Sequence, residues 1–484
     1  MLAKVNIIGA GLAGLSTGIC LAQQGFDTEI FELAPWAGGM CTAWTRGGYR
    51  FDGCIHWMVG TRPGDPIHQL YREVGALDAS TQIYSAPSIR MEIDGTAYDI
   101  PLEFGRFRAL LLKYAAGDED KINSFLRDIE AVMRARLSMG PPSSLKEAVD
   151  FMLYGRGFLK LAIKHGNKTV EEYLQGIQSD RIKKILYRLM APSFSAMAIL
   201  MMLGTRMSGN AGYPIGGASE VVRRMEEKYK ALGGKITFNA RVDEIVTENG
   251  AAKGVRVKET FYASDFVVAA CDAWDTLKNM LGGKYPHPQL DAMLQEAPLF
   301  GPLALVSFGL DRRFDIPFAV TCECPEGIKT SPDTQEFSLA LRSFDFDPSA
   351  APEGASSVMV MLGAPLDYWQ NLRNTDHGEY KRQKQLLADE VADALEKRYP
   401  GFKDAVRVTD VSTPATYVRL TNVYRGSFEG FLPVPSLLKR NIQKNIPGLS
   451  RFYLCGQWTT AGGGICTAVN DGKIIARKIA KEAK

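Results

Sequence analysis

Several features that would define a class of protein are missing from this sequence. No apolar run reaches the 18 or more residues that a membrane-spanning helix needs, so we predict none. No Cys-x-x-Cys pair occurs and Cys322 and Cys324 have no histidine nearby, so we predict no metal site. The net charge of +3 on 484 residues lacks the basic surplus of nucleic-acid-binding domains. We therefore expect a globular cytoplasmic protein with free thiols.

Glycine, by contrast, is plentiful, with 47 residues. The chain opens with an apolar run over 5–8, a Gly-x-Gly-x-x-Gly motif, a helical stretch from Leu15 and a second apolar run that ends before an acid. This order predicts a strand, turn, helix and strand that bind a dinucleotide. In such a turn Gly9 permits the sharp bend, Gly11 lets the backbone approach a pyrophosphate, and Gly14 lets the helix pack on the strand.

The helix N-terminus and the acid complete this predicted site. Free N–H groups at the helix start, where Leu12 and Ala13 lie, can bind phosphate. Glu32, the acid, can accept hydrogen bonds from a ribose hydroxyl. The motif by itself fits FAD and NAD equally.

The next segment carries a family resemblance. Glu32 is followed by Gly38-Gly39-Met40 and then by Phe-Asp-Gly-Cys-Ile-His over 51–56. This succession resembles the phytoene desaturase, carotenoid isomerase and retinol saturase group, a branch of the amine-oxidase-like flavoproteins. The resemblance implies that the cofactor is FAD. Many members have arginine where Met40 stands, so phosphate binding here would depend on backbone N–H groups and the helix dipole.

Two further segments resemble parts of the same fold. Glycines over 212–217 precede a helix and several strand-like runs, and this resembles a second dinucleotide module in which Val242 lies at the adenine. Near the C-terminus an apolar run precedes a glycine turn and a long helix, which in the family lie along the flavin. The cofactor contacts implied at this end are Gly456, Gln457, Gly463, Gly464 and Ile465.

Because these FAD motifs lie in three distant places, we predict an α/β fold with a discontinuous, Rossmann-type FAD-binding domain like that of glutathione reductase. We assign residues 1–100, 206–285 and 441–484 to it. Residues 101–205 are expected to form a helical lobe, and residues 286–440 an inserted α+β substrate domain.

Three side chains are candidates for catalysis. His56 lies in the family motif and could exchange a proton with the carbon next to the one that exchanges a hydride. A buried structural histidine would give the same pattern. Tyr213 and Tyr417 could form walls beside the flavin, whereas Asp52 is better explained as a residue that orients the loop.

The resemblance implies an oxidoreductase that desaturates or saturates carbon–carbon bonds of a lipophilic isoprenoid, polyene or acyl substrate by hydride transfer to or from flavin N5. An external electron donor or acceptor, such as a quinone, oxygen or a reduced carrier, would complete the reaction. Three alternatives stay open: a cis–trans isomerase that uses reduced FAD, a flavin amine oxidase, and a flavin-binding membrane partner without turnover.

One basic segment predicts membrane contact. From Arg156 to Arg188 there are eight lysines or arginines against three acids, with apolar residues among them. Such a segment can rest on the anionic inner face of a membrane, although a solvated basic face over an ordinary core is the alternative. The methionines over 192–207 could likewise form an adaptable apolar wall for a long lipid, although packing in an ordinary core is the alternative.

Overall fold

The computed structural model describes residues 3–136, 139, 149, 151–440 and 442–484. The strands, numbered in chain order, are β1 (Lys4–Ile8), β2 (Asp27–Phe31), β3 (Ala43–Arg46), β4 (Tyr49–Asp52), β5 (Met58–Val59), β6 (Ile83–Tyr84), β7 (Ser88–Ile93), β8 (Thr96–Pro101), β9 (Ala211–Pro214), β10 (Lys235–Thr237), β11 (Glu244–Glu248), β12 (Ala251–Val257), β13 (Thr260–Ala263), β14 (Phe266–Ala269), β15 (Leu303–Leu310), β16 (Val320–Ser331), β17 (Thr334–Ser343), β18 (Ser356–Gly363), β19 (Val406–Ser412) and β20 (Phe452–Leu454).

The helices connect these strands and cover the sheets. The α-helices span Leu12–Ala22, Pro66–Val74, Phe104–Lys113, Glu119–Arg134, Arg156–His165, Val170–Leu174, Asp180–Leu189, Ala196–Met207, Gly217–Ala231, Ala273–Asp275, Pro288–Glu296, Leu366–Thr375, His377–Arg398, Phe402–Ala405, Pro414–Thr421, Pro435–Leu438 and Ile465–Glu482. Short π-helical turns span Phe151–Gly155 and Thr276–Met280, and 3₁₀ turns span Tyr424–Gly426 and Gln457–Thr459. No described helix is long and apolar enough to cross a membrane.

A five-stranded parallel sheet in the order β10-β2-β1-β14-β20 forms the first half of the molecule. Val5 and Ile7 of β1 are fully buried because the sheet is covered on both faces, by the helix Leu12–Ala22 and its neighbours on one and by the three-stranded sheet β11-β12-β13 on the other. The first and last helices cross closely, since Ser16 Oγ donates a hydrogen bond to the Val469 carbonyl at 2.6 Å. This sheet confirms the predicted Rossmann-type α/β fold.

Two predicted details of this half differ in the structure. The first helix begins at Leu12 and not at Leu15, because the extended backbone of Gly11 already serves as its N-cap. The mid-chain segment does not build a second dinucleotide module. Its helix, Gly217–Ala231, leads into β10, and β10 pairs with β2 at the edge of the same parallel sheet.

A seven-stranded sheet in the order β19-β15-β18-β17-β16-β7-β8 forms the second half. One face buries apolar side chains against the helix His377–Arg398, and Leu387 and Val391 of this helix belong to that core. The opposite face carries the cross-strand pair Leu305 and Met361 toward the first half. Strands β7 and β8 belong to this sheet, although the boundary predicted at residue 100 assigns most of them to the FAD-binding domain.

The described part of residues 101–205 is mostly helical, as expected. The basic segment over 156–188 consists of two parts that differ in their ion pairs. In the second part, Lys183 lies 3.3 Å from Asp180 and Lys184 lies 2.8 Å from Asp94, so these charges are neutralised by neighbouring acids. In the first part, the exposed Lys160 and Lys164 form no ion pair with a described residue. The helix Arg156–His165 therefore keeps basic charges that no described acid neutralises.

Candidate active site

A cavity of about 480 Å³ lies between the two sheets. The carboxyl ends of β1, β2, β14 and β20 open into it from one side, and β15 and β18 form a wall on the other. In parallel α/β sheets the carboxyl ends of the strands are where ligands bind. The cavity therefore lies where the predicted dinucleotide site requires it.

The first glycine turn has the geometry that the motif predicts. Gly9 has a φ of +98°, and a Cβ there would lie 2.8 Å from the Ala270 carbonyl oxygen. A Cβ on Gly14 would overlap the Gly9 carbonyl, so this glycine permits the helix to pack on the turn. Gly11 faces the cavity, and a Cβ there would meet only the Gly38 carbonyl oxygen, at 3.9 Å. The backbone at Gly11 is thus open to a ligand.

The second glycine turn packs against the first. Gly38 has a φ of +123° and Gly39 lies so close to Gly11 that an added Cβ would be 3.3 Å from its Cα. Met40 extends this turn along the cavity and brings no charge. In the described lining the only lysine or arginine is Arg241, which pairs with Asp275 at 3.6 Å. Phosphates at the two turns would be held by backbone N–H groups, including those of Leu12 and Ala13.

Glu32 is positioned for a ribose hydroxyl. Its carboxylate accepts hydrogen bonds from the backbone N–H groups of Ala10, at 2.6 Å, and Ala34, at 2.8 Å. Burial raises its pKa, and those two bonds oppose the rise. Each oxygen retains acceptor capacity, and Glu32 lines the cavity together with Val242.

The C-terminal turn closes the other end of the site. Gly456, Gln457, Gly463, Gly464 and Ile465 all line the cavity, and Ile465 begins the long last helix. The Gly456 N–H donates to Asp471 at 2.7 Å, and Asp471 forms an ion pair with Lys444. Sequence reasoning missed Asp471, because it lies in an amphipathic helix and only the fold brings it under the turn.

The loop that carries His56 is held by Asp52. One carboxylate oxygen of Asp52 accepts from the N–H groups of Cys54 (2.9 Å) and Ile55 (3.0 Å). The other accepts from the Tyr213 hydroxyl (2.8 Å) and from the helix N–H at residue 218 (2.8 Å). Asp52 therefore orients the loop, as expected. Tyr213 is buried beneath this network and is not among the residues that line the cavity.

His56 lines the cavity, but its ring is uncharged at neutral pH. Burial lowers its pKa to about 3, and the nearby Arg342 and Arg206 guanidiniums contribute. Its Nε2 is buried without a hydrogen-bond partner among the described residues. A ring with so low a pKa donates a proton poorly at neutral pH.

Tyr417 and the methionines have different places relative to the cavity. Tyr417 lines it, and burial raises the pKa of its phenol so that it stays protonated. The methionine wall predicted over 192–207 is wrong, since Met197 and Met202 are packed in the protein core. The methionines that line the cavity come from elsewhere in the chain: Met40, Met58, Met280 and Met361.

Glu429 is an ionisable group of the site that sequence reasoning did not assign. It lines the cavity, makes no hydrogen bond with a described residue, and lies against the C-terminal glycine turn, where a Cβ on Gly463 would overlap it. Burial raises its pKa to about 7. The available signal in the sequence was its place in the glycine-flanked run Gly-Ser-Phe-Glu-Gly over 426–430.

The parallel sheet, the glycine turns and the acid define a dinucleotide-binding oxidoreductase. A profile of the family described as flavin containing amine oxidoreductase matches residues 12–480. The chain belongs to this family, and FAD is its cofactor. The residues present fit that cofactor, because the backbone at Gly11 and Gly39 leaves space that any side chain there would occupy.

Curated relatives include carotenoid enzymes. A chloroplastic prolycopene isomerase from an Oncidium hybrid cultivar is 24% identical, over 98% of this chain and 83% of its own length. A lycopene-forming phytoene desaturase from Pseudescherichia vulneris is 25% identical, and a 1-hydroxycarotenoid 3,4-desaturase from a Flavobacterium is 23% identical; both matches cover 98% of each chain.

Solved structures share the fold. Cyclohexylamine oxidase from Brevibacterium oxydans superposes with a TM-score of 0.59 at 15% identity, covering 100% of this chain and 99% of its own. An oxidoreductase from Methanosarcina mazei gives a TM-score of 0.57 at 19% identity, covering 96% of this chain and 99% of its own. The family match confirms the resemblance to the amine-oxidase-like flavoproteins, and these structures show the fold.

Proposed function

We propose that this FAD-dependent oxidoreductase desaturates or saturates a carbon–carbon bond of a lipophilic isoprenoid, polyene or acyl substrate. The observation that carries the proposal is the apolar wall opposite the glycine turns, formed by Leu303, Leu305 and Met361. Such a wall suits a hydrocarbon chain. The names of the relatives, prolycopene isomerase and phytoene desaturase among them, support the same substrate class.

The reaction needs a hydride and a proton. Bound FAD supplies the hydride chemistry, since its N5 accepts or donates one. Desaturation removes a hydride from one carbon and a proton from its neighbour, and saturation adds both. The electron pair then passes to an external acceptor, or comes from an external donor, such as a quinone, oxygen or a reduced carrier.

Glu429 is our candidate for the proton exchange. A pKa of about 7 keeps this carboxyl close to half protonated at neutral pH, which suits both accepting and donating a proton. His56, with its pKa lowered to about 3, is better suited to contact the substrate as a neutral ring. Tyr417 and the apolar wall would exclude water and position the chain.

The cavity also supports the division of labour between segments. We propose that residues 1–100, 206–285 and 441–484 hold FAD, with β7 and β8 as the exception noted above. Residues 286–440 supply the apolar wall and Glu429, so they act as the substrate-binding domain.

We further propose peripheral contact with an anionic membrane through the helical lobe. Leu153 is 68% exposed and Ile163 is 74% exposed, which is unusual for large apolar side chains. Lys160 and Lys164, which form no ion pair with a described residue, flank Ile163 on the same helix. Apolar and basic side chains together favour binding at a lipid surface, from which an enzyme can draw a lipophilic substrate.

Anaerobic titration of the purified holoprotein tests the proposed reaction. Reduced holoprotein mixed with a polyene should reoxidise in proportion to saturated product, or oxidised holoprotein should bleach in proportion to desaturated product. An isomerase would form product with no net change in flavin absorbance, and an amine oxidase would bleach with amines and release peroxide. A flavin-binding partner would show no change with any substrate.

A further inference from the structure

Two arginines beside the cavity form no ion pair with a described residue. We propose that Arg206 and Arg342 bind an oxyanion, a carboxylate or a phosphate, at one end of the lipophilic substrate. This inference rests on the proposed function and narrows it to amphiphilic substrates with an anionic head. The helical lobe supplies Arg206 and the seven-stranded sheet supplies Arg342.

Arg206 packs against an aromatic side chain of the cavity wall. Its residue is only 9% exposed, and its guanidinium makes no hydrogen bond or ion pair with a described residue. The guanidinium lies over the Trp57 ring, with its central carbon 5.4 Å from the ring centroid. Because Trp57 lines the cavity beside His56, the charge lies immediately behind the cavity wall.

Arg342 projects from the sheet face that forms the cavity wall. Ala340 pairs across the sheet with Met361, which lines the cavity, and side chains two residues apart share one face of a strand. Arg342 makes one hydrogen bond, from a terminal nitrogen to the Leu341 carbonyl at 2.9 Å. Its Nε is buried with no partner among the described residues.

The charges of both arginines act on the His56 ring: burial lowers the pKa of His56 to about 3, and Arg342 and Arg206 contribute. Burial also lowers the pKa of Arg206 to about 10, with a contribution from Arg342. Burial alone lowers the pKa of Arg342 to about 10, so both guanidiniums remain charged at neutral pH. No acid in the described part of the chain is among the causes of either shift.

Such an arrangement favours an anionic ligand. Two poorly solvated like charges with no counter-ion among the described residues are unfavourable, and a bound oxyanion would relieve both their desolvation and their repulsion. Guanidinium groups bind carboxylate and phosphate through paired N–H donors. The Nε2 of His56, a ring on which both arginine charges act, is also buried without a partner among the described residues. A protonated amine, by contrast, would be repelled.

The test compares three ligands that share one chain: parinaric acid, which is a fluorescent polyene, its alcohol and its phosphate monoester. Each is titrated into FAD-loaded protein, and Kd is read from polyene fluorescence. We expect the acid or the phosphate to bind about tenfold or more tightly than the alcohol, since charge-assisted pairs are lost in the alcohol. The tighter of the two anions identifies the head group.

Arginine variants then locate the preference. Arg206→Gln and Arg342→Gln should each reduce the preference for the anion, whereas Arg106→Gln, which removes a solvent-exposed arginine of the helix Phe104–Lys113, should leave it unchanged. Equal binding of all three ligands, or an anion preference that persists in both variants, would overturn the inference. If a variant loses FAD, the comparison of the three ligands on the unaltered protein still shows whether the site prefers an anionic head group. Binding of none of them would contradict the lipid substrate itself.

Discussion

The two ends of the cavity are built from different parts of the chain. At the FAD end, backbone faces the ligand, at Gly11 and Gly39 and at the start of the first helix. At the substrate end, side chains such as Glu429 and Met361 face it. Where backbone faces the ligand, an added side chain blocks binding. Where side chains face the ligand, each can be replaced without removing the others. The expected effects of substitution therefore differ in kind between the two ends.

The sharpest test of the FAD end is a pair of glycine substitutions. Gly11→Val should leave the fold intact, because the new side chain enters open space, but should reduce FAD occupancy by about tenfold or more because it fills the pyrophosphate position. Gly14→Val should prevent folding, because its Cβ overlaps the Gly9 carbonyl. Visible flavin absorbance and circular dichroism distinguish the two results. Full flavin occupancy in Gly11→Val would place the cofactor elsewhere.

At the substrate end we expect loss of turnover without loss of FAD. Glu429→Gln should lower kcat by about two to four orders of magnitude, the usual contribution of general acid–base catalysis. The unaltered enzyme should show a pH limb at about 7 that the variant lacks. Desaturation needs the carboxylate, so its rate should rise with pH through this limb. Saturation needs the protonated acid, so its rate should fall.

His56→Ala is the matched comparison for Glu429→Gln. It should keep FAD and keep the pH limb at about 7, because the imidazole, with a pKa of about 3, does not titrate there. If His56→Ala abolishes the limb and Glu429→Gln does not, the proton passes through the histidine and our assignment is wrong.

A smaller effect is expected at the membrane-facing helix. Replacing Lys160 and Lys164 by Gln should weaken binding to anionic liposomes, measured by sedimentation at low salt, by about 2 kcal/mol. Each charge near the surface contributes about 1 kcal/mol to the binding free energy. Lys183→Gln with Lys184→Gln is the matched control, since both lysines are already paired with acids. Equal sedimentation of all proteins would favour a solvated basic face.

The smallest effect concerns the support of the His56 loop. Tyr213→Phe removes one of the hydrogen bonds to Asp52 and should lower the free energy of unfolding by about 1 kcal/mol. FAD binding and turnover should be nearly unchanged, because Tyr213 is not part of the cavity lining. Denaturant unfolding measures the free energy of unfolding, flavin fluorescence measures FAD binding, and an activity assay measures turnover. A loss of turnover like that of Glu429→Gln would give Tyr213 a direct role.

The same difference explains what could be predicted from the sequence. The parallel sheet and the places of Gly9, Gly14 and Glu32 were predictable, because a backbone site requires particular residues at fixed spacing along the chain. Glu429 and Asp471 could not be located in that way. Their roles depend on burial and on neighbours that are distant in sequence, and only the fold supplies these.

Charge and composition were less reliable guides than motifs. The basic segment appeared continuous, but Asp94 comes from a hairpin of the seven-stranded sheet and neutralises Lys184. The methionines near residue 200 indicated a lipid wall, whereas Met361 on β18 lies in the cavity. The composition of a segment does not show which of its side chains the rest of the fold will bury or neutralise.

The decisive measurement for the proposed reaction is the stoichiometry of lipid conversion. Lipids from cells that express the unaltered protein, Glu429→Gln or no protein are compared by mass. We predict that one polyene, isoprenoid or acyl lipid differs by two hydrogens only with the unaltered protein, and that purified holoprotein makes this change with one flavin reduced or reoxidised per product. A product of unchanged mass, or the full two-hydrogen change with Glu429→Gln, would contradict the account.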